Sequence, residues 1–266
     1  MSTASDIQSG TAKGPKIDAT VLTGGLDYEL RLANGAIEIE QINMLRTKDG
    51  VLIFFRSCGT APSASSSVRM VPDIEAPNAG SYAFLNTGRL VGTRELDEAN
   101  RTMKLVVYSS VEPVAGAPTV SIENPSGVPD QAWDCKKLSG QKGAEVYEES
   151  VGIGSSLSVG ASKRGTRNVI PITGGTTTGR VVGKVLAGGG DYQILSGAFQ
   201  IDARYTLETS DGELIIVRNC GPGGGLVPVF EARKDGKYAW LNEDRWLSSD
   251  PAVAAGAVNL TIYEKR

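Results

Sequence analysis

Apolar and polar residues alternate twice along this chain in the same way. From Phe199 to Glu208, apolar Phe199, Ile201, Ala203, Tyr205 and Leu207 interleave with Gln200, Asp202, Arg204, Thr206 and Glu208. That period of two predicts a half-buried β-strand. A second apolar run, Glu213 to Cys220, follows Ser210-Asp211-Gly212, and Asp-Gly between two such runs is a strong hairpin signal. Residues 35–59 repeat the pattern: laid without gaps on 197–221, they share 12 of 25 positions, including Asp49-Gly50, Arg56 and Cys58. One β unit has been made twice.

The repeat extends outward. Val21-Leu-Thr-Gly-Gly-Leu-Asp-Tyr28 matches Val185-Leu-Ala-Gly-Gly-Gly-Asp-Tyr192, with glycines where a strand must bend or bulge. Beyond the hairpin, Tyr82-Ala-Phe-Leu-Asn86 matches Tyr238-Ala-Trp-Leu-Asn242, and Arg89 matches Arg245. Each copy ends in a β-rich run, Leu105–Tyr108 or Leu260–Tyr263. Short strands with Gly-rich turns and few helical signals predict an all-β fold, two tandem antiparallel β-barrels. The expected division is a disordered amino terminus over 1–16, a first barrel over 17–110, a connector over 111–142 and a second barrel over 143–266. Four of the 12 prolines fall between Val111 and Asp130, which marks the connector as extended and makes it a candidate to complete the first barrel.

Composition narrows the chemistry mainly by subtraction. There is no histidine, which excludes His-ligated zinc or haem and Ser-His-Asp or Cys-His catalysis. The formal net charge of −3 gives no electrostatic reason to expect nucleic acid or an anionic membrane as partner. No apolar run nears the ~20 residues of a membrane span, and the polar first residues do not read as a signal peptide. The glycine runs at 188–190 and 221–225 do not fit a phosphate-binding loop, and no metal or cofactor motif is present. Three cysteines, Cys58, Cys135 and Cys220, read as buried free thiols. A cytoplasmic protein, monomeric or homodimeric, is expected.

Gly174-Gly175, Gly183-Lys-Val-Leu-Ala-Gly-Gly-Gly-Asp-Tyr192, Ile201-Asp-Ala-Arg-Tyr-Thr-Leu-Glu-Thr-Ser-Asp-Gly212 and Val217-Arg-Asn219 resemble domain-of-unknown-function family 3237. The resemblance covers most of 143–266, and 17–109 more weakly through the repeat. It implies lipocalin-like (calycin-like) barrels, normally one per chain, and for a tandem member a place in fungal natural-product biosynthesis. Barrels in that setting can act as cofactor-independent cyclases or isomerases. Where the second copy has Asp202-Ala-Arg204 the first has Glu40-Gln-Ile42, keeping the acid and losing the arginine.

The candidate catalytic residues are Asp202, Arg204, Glu40 and Asp191. Asp202 and Arg204 share a strand face that is either a solvated ion pair or the wall of a polar pocket. Gln41 and Asn43 fall on the core-facing side of their strand and are candidates for a pocket inside the first barrel. The opposite face holds Ile42 and Met44 and is expected to be covered, the other barrel being one candidate cover. Arg56 and Arg218, among apolar neighbours, either pair with an acid such as Asp49 or Asp211 or bind an oxyanion at a barrel mouth. Asp27-Tyr28 and Asp191-Tyr192 follow paired glycines, a setting for turn chemistry or for a catalytic acid. Tyr82, Phe84, Tyr238 and Trp240 sit on one side of a strand, as core or as pocket lining, and Tyr28, Tyr192 and Tyr205 complete the candidate substrate contacts. The expected function is a cofactor-independent cyclase or isomerase acting on a hydrophobic polyketide- or terpenoid-like molecule. A non-catalytic small-molecule carrier and a purely structural β module are the alternatives.

Overall fold

The computed structural model describes residues 2–63, 68–109, 135–197 and 199–266. Two antiparallel sheets, each curled into a barrel, account for them. The first contains β1 (Ser2–Ile7), β2 (Gly10–Gly14), β3 (Ile17–Arg31), β4 (Ile37–Thr47), β5 (Leu52–Ala61), β6 (Val68–Glu75), β7 (Leu90–Asp97) and β8 (Thr102–Ser109). The second contains β9 (Lys142–Ile153), β10 (Leu157–Ser162), β11 (Gly165–Gly179), β12 (Gly183–Val185), β13 (Gly190–Ile194), β14 (Gln200–Thr209), β15 (Leu214–Pro222), β16 (Val227–Glu231), β17 (Trp246–Ser248), β18 (Ala252–Ala254) and β19 (Ala257–Lys265). The fold is all-β, with two single-turn 3-10 segments, Ala83–Asn86 and Ala239–Asn242, among the described residues.

The duplicated hairpins agree residue by residue. In β4–β5, Ile42 pairs with Arg56 and Asn43 with Phe55; in β14–β15, Arg204 pairs with Arg218 and Tyr205 with Val217. Both turns close alike: Gly50 and Gly212 adopt φ of 84° and 86°, a left-handed conformation open to a residue without Cβ. Thr47 and Thr209 each accept from the N–H four residues on at 2.9 Å. The paired-glycine bends also match their expected role. The β3–β4 register shifts between Leu22 and Leu26, and at the equivalent place the second copy's strand is interrupted between β12 and β13.

The amino terminus departs from expectation. Residues 2–7 and 10–14 are strands that pair with β3, doing for the first sheet what β11 does for the second. Their small, polar sequence carries no alternation of its own; cross-strand hydrogen bonds to β3 order them. The first sheet has no counterpart of β9 among the described residues, and the expectation that the connector completes this barrel falls mostly on residues 110–134, outside those described.

Each barrel has its own core. In the second, Tyr147, Tyr205, Leu207, Ile215, Trp246 and Ile262 are almost fully buried and fill the interior. In the first, Ile53, Phe55 and Ile74 pack at one end and Ile37, Ile39 and Met70 at the other. A further cluster joins the barrels: Ile42, Met44 and Phe54 of the first pack against Val159, Val169 and Tyr192 of the second. The face that alternation marked as needing cover is covered by the other barrel. Fully burying side chains of this size contributes roughly 1.5–3 kcal/mol each.

Candidate functional site

The outer faces of the two hairpins meet, and their charged residues form one network. Arg204 donates to Asp202 at 2.9 Å and, across the barrel interface, to Glu40 at 2.6 Å. Arg56 donates to Glu40 at 2.6 Å and Arg218 to Asp202 at 2.9 Å. Seven candidate residues thus converge here: Asp202, Arg204, Glu40, Arg56 and Arg218, with Tyr28 beneath the Arg204 guanidinium (5.9 Å to its ring) and Tyr192 in the joining core. Arg56 and Arg218 pair with Glu40 and Asp202, their diagonal neighbours on the adjoining strand and the same face, not with Asp49 or Asp211 at the turn. Asp202 and Arg204 therefore face neither solvent nor a barrel interior.

Electrostatics bears on what this network can do. Burial pushes the Asp202 carboxyl up, but Arg204 and Arg218 outweigh it and hold it well below the ordinary carboxylate range. Glu40 is lowered in the same way, with Arg204 and Arg56 overcoming its burial. Carboxylates held ionised by two cations each are poor proton carriers at neutral pH. The network is suited to joining barrels and to holding charge. Between the barrels, beside Arg204, lies a cleft of about 50 Å³.

The barrel interiors carry different chemistry. Asp27 and Asp191 occupy equivalent places and pair across the ladder with Gln41 and Ala203, on the inward faces of β4 and β14. In the first barrel Asp27 lies in a buried ion pair with Arg94, beside Glu29, and burial raises its carboxyl while Arg94 offsets part of the rise. Gln41 is buried there and donates to the Met103 sulfur at 3.3 Å; Asn43 is buried on the same face. Extending the Arg89–Arg245 match places Asp250 where the first copy has Arg94. Asp250 accepts from the Gly224 N–H at 2.7 Å instead, and among the described residues Asp191 has no ion pair. Burial pushes the Asp191 carboxyl up to about 7 against the hydrogen bond donated by Gln193.

Asp191 sits at one end of the second barrel. Gln193 holds one of its oxygens and in turn accepts from Asn168 at 2.9 Å; the other oxygen, Oδ1, has no partner. Ser156 donates to Asn168 at 2.5 Å, completing a polar chain; Leu195 just after β13 and Phe199 just before β14 are exposed. Deeper in the same barrel lies a residue that alternation alone did not single out. Glu149 is 2% exposed and accepts from the Tyr205 hydroxyl, with Oε2 unpartnered; burial, partly offset by that hydrogen bond, raises its carboxyl to about 7. Its signal was an acid in a strand whose alternate positions, Tyr147 and Val151, are apolar.

The remaining candidates lie elsewhere. Tyr82, Phe84, Tyr238 and Trp240 belong to the 3-10 turns and their caps, not to a strand. Tyr82 and Tyr238 donate to Asp49 and Asp211 in the hairpin turns, Phe84 is exposed, and Trp240 meets Trp246 edge-to-face and lies under Arg180. They brace the hairpin ends. The cysteine expectation is overturned: Cys135 and Cys220 form a disulfide, with Cα atoms 5.2 Å apart, and Cys58 alone is free. The fold brings residue 135 against β15, a proximity that a separation of 85 residues does not announce. No group of side chains suited to a metal ion occurs among the described residues, and no helix there is long and apolar enough to cross a membrane.

A family described as "protein of unknown function (DUF3237)" matches residues 2–112 and again residues 143–222. Together these matches span well over half the chain. The chain belongs to the DUF3237 family. Its two copies correspond to two family units. A UPF0311 protein of Bradyrhizobium diazoefficiens is 36% identical over 127 residues, covering 39% of this chain and 84% of its own length. A UPF0311 protein of Rhodopseudomonas palustris is 36% identical over 95 residues, 35% of this chain and 62% of that one. Among solved structures, a conserved protein of unknown function from Rhodopseudomonas palustris superimposes with TM-score 0.40 at 28% identity over 45% of this chain and 94% of its own. A β-barrel-like protein from Acinetobacter baumannii gives 0.41 at 27%, over 49% and 99%. This DUF3237 chain thus carries about twice the length of the relatives it resembles.

Proposed function

We propose that this protein is a cofactor-independent isomerase or cyclase whose reaction centre is the Asp191 end of the second barrel. The observation that carries the reading is the contrast between copies: Asp27 is held by Arg94, whereas among the described residues Asp191 has no cation and its Oδ1 no partner, and its carboxyl lies near neutrality. A base titrating near the working pH is both available as carboxylate and able to return the proton it takes. Gln193, fixed by Asn168, orients the carboxyl. Asp191 would take a proton from the carbon next to a substrate carbonyl, the C–H electron pair would move into an enolate, and the proton would return at another position. Leu195 and Phe199 offer apolar surface for a polyketide- or terpenoid-like body.

A carrier that encloses its cargo is favoured less, because Tyr147, Tyr205 and Trp246 occupy the second barrel's interior. The test is deuterium uptake from D₂O into a panel of enolisable cyclic ketones and 1,3-diketones. The wild-type protein should accelerate exchange of at least one compound, and Asp191→Asn should lower that rate by about 100-fold or more. Exchange that is the same with wild-type protein, Asp191→Asn and no protein would contradict the reading.

A further inference from the structure

We propose that the cleft between the two barrels is a binding site for a small oxyanion of phosphate or sulfate type. Four arginines line it, Arg56, Arg164, Arg167 and Arg204, facing three carboxylates, Asp73, Glu75 and Asp202. With the groups bonded directly to these, Arg218 and Lys163 on one side and Glu40 on the other, six cations stand against four carboxylates in a chain whose net charge is −3. Guanidinium groups present five N–H donors in a planar fork, the geometry that suits tetrahedral oxyanions.

The arginines are held in place. Arg204 is clasped by Asp202 and Glu40, and Arg167 donates to both oxygens of Glu75 and to the Tyr192 carbonyl. Arg164 is half-exposed; it donates to Asp73 at 2.6 Å, so it stands where an ion would enter. Ile42, Phe54 and Tyr192 supply apolar walls, which lower the local dielectric and strengthen any charge contact made there. The Arg167 guanidinium also stacks 4.5 Å over the Phe54 ring. A second observation adjoins the cleft: the Tyr28 hydroxyl, below Arg204, is buried with no hydrogen-bond partner among the described residues. About 50 Å³ accommodates a few water molecules or one small oxyanion, and excludes an organic body.

This site stands apart from the reading of the second barrel. Asp191 faces the barrel interior, whereas the cleft lies on the outer face of β14. An ion bound there would touch both barrels and tighten their union.

Calorimetric titration of the full chain with inorganic phosphate, at ionic strength held constant with sodium chloride, tests the proposal. One site is expected, with sulfate competing. Asp73→Asn removes a carboxylate that competes for Arg164 and should tighten phosphate binding about tenfold, while Arg164→Gln should weaken it about tenfold. A gain of affinity in Asp73→Asn cannot come from a variant that merely unfolds, and thermal melts of both variants check folding directly. Glycerol phosphate as a second ligand distinguishes a free ion from a phosphate ester: binding as tight as phosphate would show a mouth open to an ester, and weaker binding an enclosed ion site. No phosphate binding above the chloride control, or an affinity that Asp73→Asn leaves unchanged, would overturn the proposal.

Discussion

Glu149, buried, and Asp202, half-buried, are acids on one barrel, yet their surroundings drive them in opposite directions. Asp202 meets two guanidinium groups, whereas Glu149 meets a phenol and an apolar core. The consequence for stability follows from proton linkage. Asp202, lowered on folding, contributes stability above its unfolded value that is lost as pH falls into the acid range. Glu149, raised from 4.5 to about 7, makes the folded state bind the extra proton between those values, so its contribution declines as pH rises through that window. The full decline is about 3 kcal/mol. Glu149→Gln, which stays neutral, should therefore be more stable than wild type at pH 8.5 and close to it at pH 5, as measured by urea unfolding. A constant difference across pH would contradict this. The identities of these acids were legible in the sequence, but their titration was not. What decides it is which guanidinium stands nearby, and for Glu40 that guanidinium is 164 residues away.

Among the elements, the hairpins were the most legible, since alternation and Asp-Gly fix strand, face and register together. In both turns the glycine takes the positive φ, and Asp49 and Asp211 accept hydrogen bonds from Tyr82 and Tyr238. Strands β1 and β2 were illegible because edge strands of small polar residues are specified by their neighbour, not by a pattern of their own. The paired-glycine bends carry a further requirement. At Gly189, φ is +74° and an added Cβ would lie 2.1 Å from the Arg204 carbonyl and 2.9 Å from Leu26 of the other barrel. Gly212 has similar φ but open space around it. Gly212→Ala should cost about 1 kcal/mol from backbone strain alone. Gly189→Ala should cost clearly more, because backbone must move at the barrel interface; equal losses in chemical denaturation would contradict the close packing described there.

At the scale of the whole molecule, one chain carries two barrels joined face to face, and its copies have diverged. The covered face was legible from Ile42 and Met44, whereas the disulfide was not, because an odd cysteine count hides a bond between the connector and β15. Thiol counting in denaturant without reductant should find one reactive cysteine, Cys58, and three after reduction; three at the outset would contradict the bond. Disulfides persist in oxidising surroundings, so the cysteines no longer add support to the expected cytoplasmic location. Divergence is sharpest at the paired acids, where Arg94 has Asp250 as its counterpart. The most direct test is a ¹³C NMR titration of the protein labelled at aspartate carboxyls, wild type beside Asp191→Asn. The account predicts one resonance titrating near pH 7 that vanishes in the variant. An Asp191 carboxyl that titrates near 4, in the ordinary aspartate range, would contradict it.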